Sequence, residues 1–181
     1  MGSVDQYLVP NVDSADVLHS MGVARNKLHS FGYPVDQRFF NKSFKRSRFF
    51  KQAGLDQSKK YFLYLPASDN SITATRMVKR LHNLFPDWGI IVICGRNQSL
   101  KSSLSKNSAG RLANIVGWSD KMPYYILASD IVVTKAGGST VMECINAAKP
   151  QIITKIIPGQ EVGNALFVEK NRLGEVCLNS K

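Results

Sequence analysis

Apolar runs and amphipathic segments alternate along nearly the whole chain. Tyr7-Leu8-Val9-Pro10 predicts a short strand, and Asp13 and Ser14 can cap a following helix that Gly22 ends. Leu28 to Phe31 predicts a strand closed by the turn Gly32-Tyr33-Pro34, and residues 43–53 a short helix. Tyr61-Phe62-Leu63-Tyr64-Leu65 predicts a buried strand, while Ile72, Met77, Val78, Leu81, Leu84 and Phe85 follow helical spacing. Ile90 to Cys94 is an apolar strand stopped at Gly95, and Leu100 and Leu104 mark a helix over 98–106. Then come a strand over Ala113–Val116, a helix over 121–128, a strand over Ile131–Thr134, a glycine loop and a helix over 139–148. Gln151–Thr154 predicts a strand, 160–171 a helix and Glu175–Leu178 a last strand. Strands apolar on both faces, alternating with helices, imply an α/β fold whose parallel sheet is covered on both sides. Right-handed crossovers make it a doubly wound, Rossmann-like sheet.

Residues 32–60 interrupt this pattern with Gly32, Pro34 and a charge run but no long strand, so a hinge is expected near 35–42. It divides the chain into 1–36 and 37–181, and the pattern stops after the last strand without a closing helix, as if cut at both ends. No internal repeat or low-complexity segment is visible.

Composition narrows the class. The chain has 181 residues and 44% hydrophobic content, enough for a core without a disulfide or metal staple. Its formal charge of +11 implies an anionic partner: nucleotide, nucleic acid or acidic membrane surface. Cys94, Cys144 and Cys177 lack CxxC spacing and sit in apolar runs, so buried thiols are expected. His19, His29 and His82 have no partners at catalytic or metal spacing and are expected to be structural; no metal site is expected. No stretch reaches the ~18 apolar residues of a membrane-spanning helix. Met1-Gly2-Ser3 has no signal-peptide character and reads as a cloning remnant; Gln6 argues against a myristoylation signal.

The chemistry concentrates in Thr134-Lys135-Ala136-Gly137-Gly138-Ser139-Thr140-Val141-Met142-Glu143. A buried strand runs into two glycines and then a helix. The glycines allow close approach of a ligand, and the helix start offers N–H groups and partial positive charge. Ser139 and Thr140 can cap that helix and donate hydroxyl hydrogen bonds. This describes an anion site at the carboxyl end of a parallel strand, or else a tight strand–helix turn with no ligand. Glu143 shares the face of Ser139 and Thr140, where a carboxylate can accept two hydrogen bonds from a ribose diol or simply favour the helix dipole. A second cluster, Pro158-Gly159-Gln160-Glu161-Val162-Gly163-Asn164, places amide and carboxylate groups suited to sugar hydroxyls, or to ordinary capping, at another helix start.

Three stretches in order resemble the C-terminal donor domain of diacylglycerol glycosyltransferases. They are Val116-Gly117-Trp118 through Met122-Pro123, Ala128-Ser129-Asp130-Ile131-Val132-Val133-Thr134-Lys135-Ala136-Gly137, and Pro158-Gly159-Gln160-Glu161 with Gly163-Asn164. That family includes monogalactosyldiacylglycerol synthases and processive glucosyltransferases, and the enzyme adding N-acetylglucosamine to the peptidoglycan lipid precursor is a more distant relative. Tyr7-Leu8-Val9-Pro10 and Gly32-Tyr33-Pro34-Val35-Asp36 with Phe39 resemble the close of the acceptor domain, making 1–36 its remnant with the hinge and 37–181 the donor domain. The resemblance implies a GT-B arrangement of two Rossmann-like domains and inverting transfer of a hexose from a UDP-sugar to a lipid such as diacylglycerol. It implies no cofactor and no metal-binding Asp-x-Asp motif. Gly137, Gly138, Ser139 and Thr140 would hold the diphosphate, Glu143 the ribose, and Gln160 and Glu161 the sugar, supported by Asn164. Backbone at Gly117 and Trp118 would meet the uracil. The family's general base lies in the acceptor domain, so no catalytic residue is assigned here, and the fragment alone is expected to be inactive.

The chain departs from the family pattern where Pro66-Ala67-Ser68-Asp69-Asn70-Ser71 lacks glycine and Asp69 would face a phosphate. It departs again where Lys149 holds a helix end that favours glycine, at roughly 1 kcal/mol if left-handed. Between Arg38 and Lys60, eight Lys or Arg residues interleave with Phe39, Phe40, Phe44, Phe49 and Phe50. That segment can lie on an anionic membrane or pack its rings on the sheet; nucleic acid is disfavoured, because no RNP or helix-turn-helix pattern accompanies it. The implied location is peripheral, on the cytoplasmic face of a membrane or at a plastid envelope. Two rivals stand beside this reading: a UDP-N-acetylglucosamine 2-epimerase-like protein, and a non-catalytic nucleotide-sugar-binding domain.

Overall fold

The computed structural model describes residues 4–67 and 69–178; Met1-Gly2-Ser3, and Ser68 of the 66–71 loop, lie outside the described residues. The chain forms two units, Met1–Val35 and Asp36–Lys181.

The first unit is a single βαβ turn. Strand β1 (Tyr7–Val9) pairs in parallel with β2 (Leu28–Ser30) across helix α1 (Val12–Ser20). The N-cap is Asn11, whose Oδ1 accepts the Ser14 N–H at 2.8 Å, rather than Asp13 or Ser14. The helix starts at Val12, at least two residues earlier than a cap at Asp13 or Ser14 would allow, because the Asn side chain satisfies the orphan N–H three positions on. His19 Nδ1 lies 3.0 Å from the Val23 carbonyl oxygen, a local bond, and His29 bonds Gln6.

In the second unit, α2 (Arg46–Ala53) precedes six strands: β3 (Tyr61–Tyr64), β4 (Gly89–Ile93), β5 (Asn114–Val116), β6 (Ile131–Lys135), β7 (Gln151–Lys155) and β8 (Gly174–Val176). The intervening helices are α3 (Ser71–Leu84), α4 (Gln98–Lys106), α5 (Ala109–Leu112), α6 (Met122–Ala128), α7 (Gly138–Asn146) and α8 (Val162–Lys170). All strands are parallel, in the order β5-β4-β3-β6-β7-β8. The chain therefore builds outward from β3 to one edge, returns, and builds outward from β6 to the other. This is the doubly wound order of a Rossmann-like sheet, as the apolar runs predict.

Alternation along β3 sorts the two faces. Phe62 and Tyr64 join Ile90 and Val92 under Ala74, Val78 and Leu81 of α3 and Leu100 and Leu104 of α4. On the other face Tyr61 meets the ring of Phe50 at 5.0 Å, and Val141, Ala165 and Val168 pack on Ile153. Helix α5 is an unpredicted single turn, seeded by Asn107 Oδ1 accepting the Ala109 N–H at 2.8 Å. Cys94 and Cys144 are buried as expected, and burial pushes the Cys144 thiol up to about 12; Cys177 is exposed, because it follows the edge strand β8.

Several helix ends depart from expectation by one to three residues. Helix α7 closes with Lys149 N–H on the Cys144 carbonyl (2.8 Å) and Ala148 N–H on Ile145 (3.0 Å), a Schellman motif. Its left-handed residue is Ala148, at φ 51°, so the expected strain falls there and not on Lys149. Lys149 is half-buried instead, and desolvation lowers its pKa.

Candidate functional site

Strand order reverses between β3 and β6, and in open α/β sheets the crevice outside the carboxyl ends of such strands takes the ligand. Three loops meet that edge: 65–70 after β3, Ala136–Gly137 after β6, and 156–161 after β7.

The β6–α7 loop begins with Lys135. Gly137 is the N-cap of α7, at φ −69°, and no side-chain bond caps this end. The expectation that Ser139 and Thr140 cap the helix is thus corrected: both lie inside its first turn, Ser139 exposed and Thr140 half-buried, with Gly138 as the first helical residue. A capping side chain must precede the turn whose N–H groups it receives, and that position is a glycine. A Cβ at Gly137 would stand 3.0 Å from Lys135 Nζ, so a larger residue there would make the end of the lysine give way by a few tenths of an ångström.

Glu143 follows on α7. Burial raises its pKa, with the charge of Asp36 adding to the effect, and among the described residues no donor bonds its carboxylate. Asp36 itself is held down to about 2 by the Arg38 guanidinium, which also donates to the Asp120 carbonyl at 2.6 Å.

After β7, Gly159 takes φ 76° and Gln160 stands exposed. Glu161 is only 4% exposed: Oε1 bonds Lys135 Nζ, and Oε2 accepts the Ile157 N–H at 3.1 Å. Asn164 Nδ2 donates to the Ala136 carbonyl at 2.9 Å, tying α8 to the glycine loop. After β5, Gly117 is buried with Lys101 Cδ 3.2 Å from where its Cβ would be, while Trp118 is 58% exposed. Asp69, in the glycine-free loop, accepts from Tyr64 Oη at 2.6 Å and lies 3.5 Å from Lys155 Nζ, so its charge is answered within the protein.

Two residues of this edge escape sequence reasoning, Lys135 and Lys155. A local signal exists: β6 and β7 both end in Thr-Lys, and the two lysines are register partners on adjacent strands. Each meets a loop carboxylate, Glu161 and Asp69 respectively. Among the described residues no group of three or more His, Cys, Asp or Glu is arranged to hold a metal ion.

The basic aromatic segment turns its rings inward. Phe44 stacks on Tyr124 with centroids 5.6 Å apart, Phe49 meets Tyr125 edge-on at 5.0 Å, and Phe39 and Phe50 are buried. Arg46 covers Phe50 at 4.3 Å and pairs with Asp130 at 2.9 Å. Phe40 is exposed, as are Lys42, Lys45, Arg48 and Lys51. Among the described residues no helix is long and apolar enough to cross a membrane.

Comparison with solved structures supports a GT-B, Rossmann-like fold. Staphylococcus aureus MnaA in its UDP co-structure superposes with a TM-score of 0.66 at 16% identity, over 93% of this chain and 52% of that one. UDP-GlcNAc 2-epimerase from Neisseria meningitidis gives 0.63 at 14% identity, over 93% and 54%. At such identities these likenesses speak for the fold alone. Residues 69–180 match the glycosyltransferase family 28 C-terminal domain, and the chain belongs to that family.

Among curated relatives, the processive diacylglycerol beta-glucosyltransferase of Staphylococcus saprophyticus is 27% identical over 174 residues, 95% of this chain and 44% of that protein. The probable monogalactosyldiacylglycerol synthase 2, chloroplastic, of Oryza sativa subsp. indica is 28% identical over 178 residues, 94% and 38%. The chain thus spans less than half the length of these relatives.

Proposed function

We propose that the chain is the donor-binding part of an inverting, UDP-sugar-dependent hexosyltransferase acting on a lipid such as diacylglycerol. The observation that carries this is the uncapped start of α7 at the strand-order reversal, with the half-buried Glu143 carboxylate on the same helix. Family membership and the named activities of the relatives support it.

In this reading the diphosphate sits on the N–H groups of Gly138, Ser139 and Thr140. Their dipole stabilises charge that grows on the leaving diphosphate as the glycosidic bond breaks. Glu143 accepts from the ribose hydroxyls, Gln160 reaches the sugar, and the uracil meets backbone at Gly117 and the Trp118 ring. Asn164 keeps the glycine loop in place through the Ala136 carbonyl. The donor is a substrate, and no cofactor or metal is invoked. Titration calorimetry with UDP, UDP-glucose and UDP-galactose tests the reading: all three bind, with the sugar preference visible between the last two. Absence of heat with UDP overturns it.

A lipid acceptor calls for work at a membrane surface. We place the attachment at the exposed cations Lys42, Lys45, Arg48 and Lys51, each worth about 1 kcal/mol near anionic lipid. In flotation the chain rises with anionic vesicles and stays down with neutral ones; equal recovery refutes the attachment.

A further inference from the structure

We propose that Lys135 grips the donor's diphosphate and that Glu161 is the residue that positions it, rather than a contact to the sugar. The proposal rests on the donor-binding reading above and assigns charge within that site.

Lys135 ends β6, the strand that leads into the glycine loop. Its ammonium carries three donors, and the one bond it makes among the described residues goes to Glu161. Two donors remain for a ligand, and the side chain is 28% exposed, so an anion can reach them. Glu161 is the opposite case. Its side chain is 5% exposed, one oxygen is taken by Lys135 and the other by the Ile157 N–H at 3.1 Å. A carboxylate engaged on both oxygens and withdrawn from solvent is poorly placed to read sugar hydroxyls. It is well placed to hold an ammonium at one spot.

That spot lies beside Gly137. A Cβ at Gly137 would stand 3.0 Å from Lys135 Nζ, so the ammonium rests against the backbone that starts α7. A full positive charge and the positive end of a helix dipole therefore converge on one volume. No reorganisation of the lysine is needed when the diphosphate arrives, because Glu161 has already fixed it; such preorganisation is what makes a charge effective on a leaving group. The nearby alternative, Lys155, is turned to Asp69, which also holds the Tyr64 hydroxyl.

A pure clamp between β6 and the 156–161 loop would use the same contacts, and ligand choice separates the two roles. A clamp lowers stability and weakens every ligand together. A diphosphate grip weakens UDP and spares uridine. NMR titration of the 181-residue chain with uridine and with UDP reads the ratio of the two affinities.

In Lys135→Gln that ratio falls roughly tenfold or more, the scale of one charge-assisted hydrogen bond, while uridine binds as before. Lys135→Gln leaves Glu161 buried without its partner and can unfold the loop. The double variant Lys135→Gln/Glu161→Gln keeps a neutral hydrogen-bonded pair and is expected to show the same fall with a near-native melting temperature. Lys135→Arg retains most of the ratio. An unchanged ratio in the double variant, with the parent binding UDP, overturns this inference alone. A parent that binds no UDP overturns the donor-binding reading and this inference with it.

Discussion

Two strand–helix junctions stand side by side at the strand-order reversal, and they are built in opposite ways. After β3 the chain caps its own helix: Asn70 Oδ1 accepts the Thr73 N–H at 2.9 Å. Asp69 beside it is spent on Tyr64 and Lys155. After β6 the cap position is Gly137, no side chain closes the turn, and a lysine ammonium lies against it. Six residues beyond the cap, α3 carries Arg76 and α7 carries the half-buried Glu143. Equivalent places in one fold thus divide the labour. One helix start is sealed by an asparagine side chain, and the other carries a glycine at its cap. The difference between a closed and an open junction lies in a few residues, not in the fold.

The comparison breaks most visibly at Glu143. Glu143→Ala removes the acceptor for two hydroxyls and lowers UDP affinity roughly tenfold to a hundredfold, measured by calorimetry. The pH dependence has a fixed sign. Burial, then the charge of Asp36, raises the Glu143 pKa above the ordinary glutamate value. Ligand hydroxyls need the ionised form, so affinity is full above the raised pKa and falls as pH drops through it. Stability runs the other way. A group that holds its proton more tightly when folded contributes stability below its unfolded pKa and loses it as pH rises through the folded one. Acidification across this window therefore firms the fold while weakening UDP binding, and Glu143→Gln flattens both profiles. An affinity that is level across the window in the parent contradicts the assignment.

The sealed junction gives a smaller effect confined to stability. Asn70→Ala costs about 1 kcal/mol through the lost cap, a fall of roughly 3 °C in melting temperature, with UDP affinity unchanged. The smallest effect is a gain at the far end of α7. Ala148→Gly relieves a left-handed alanine at φ 51° and stabilises by up to about 1 kcal/mol, again without touching the ligand. Thermal melts with and without UDP read both variants. A loss of UDP affinity in Asn70→Ala would mean that the β3 junction also serves the ligand.

Most elements were legible in the chain to within a residue or two, apart from the single turn α5 and the start of α2, which lies at Arg46 rather than 43. Buried strands such as Tyr61–Tyr64 and Gly89–Ile93 need unbroken apolar runs, and helices such as α3 need a stripe, so the period of the pattern reports the element. The doubly wound class of the sheet followed from alternation plus handed crossovers, while the strand order came from the structure. The glycine loop was legible as well, because the backbone demand is met by residue type at adjacent positions.

What the sequence did not disclose depends on contacts between distant positions. Lys135 and Glu161 are 26 residues apart, and nothing local says that Glu161 turns inward to an ammonium and the Ile157 N–H. Asp69 looked like a charge facing a phosphate until Lys155, on another strand, answered it. The phenylalanines of 39–50 looked equally fit for lipid or for packing; Tyr61, Tyr124 and Tyr125, brought in by other elements, decide for packing at Phe44, Phe49 and Phe50.

The pattern of apolar positions alone determined a doubly wound parallel sheet and where along the chain a ligand loop falls, because burial and hydrogen-bonding periods are properties of neighbouring residues. Only the tertiary structure decided which charges are paired and which carboxylates are withdrawn from solvent, because an electrostatic partner is chosen by distance in space, and the chain folds that distance without recording it in its order.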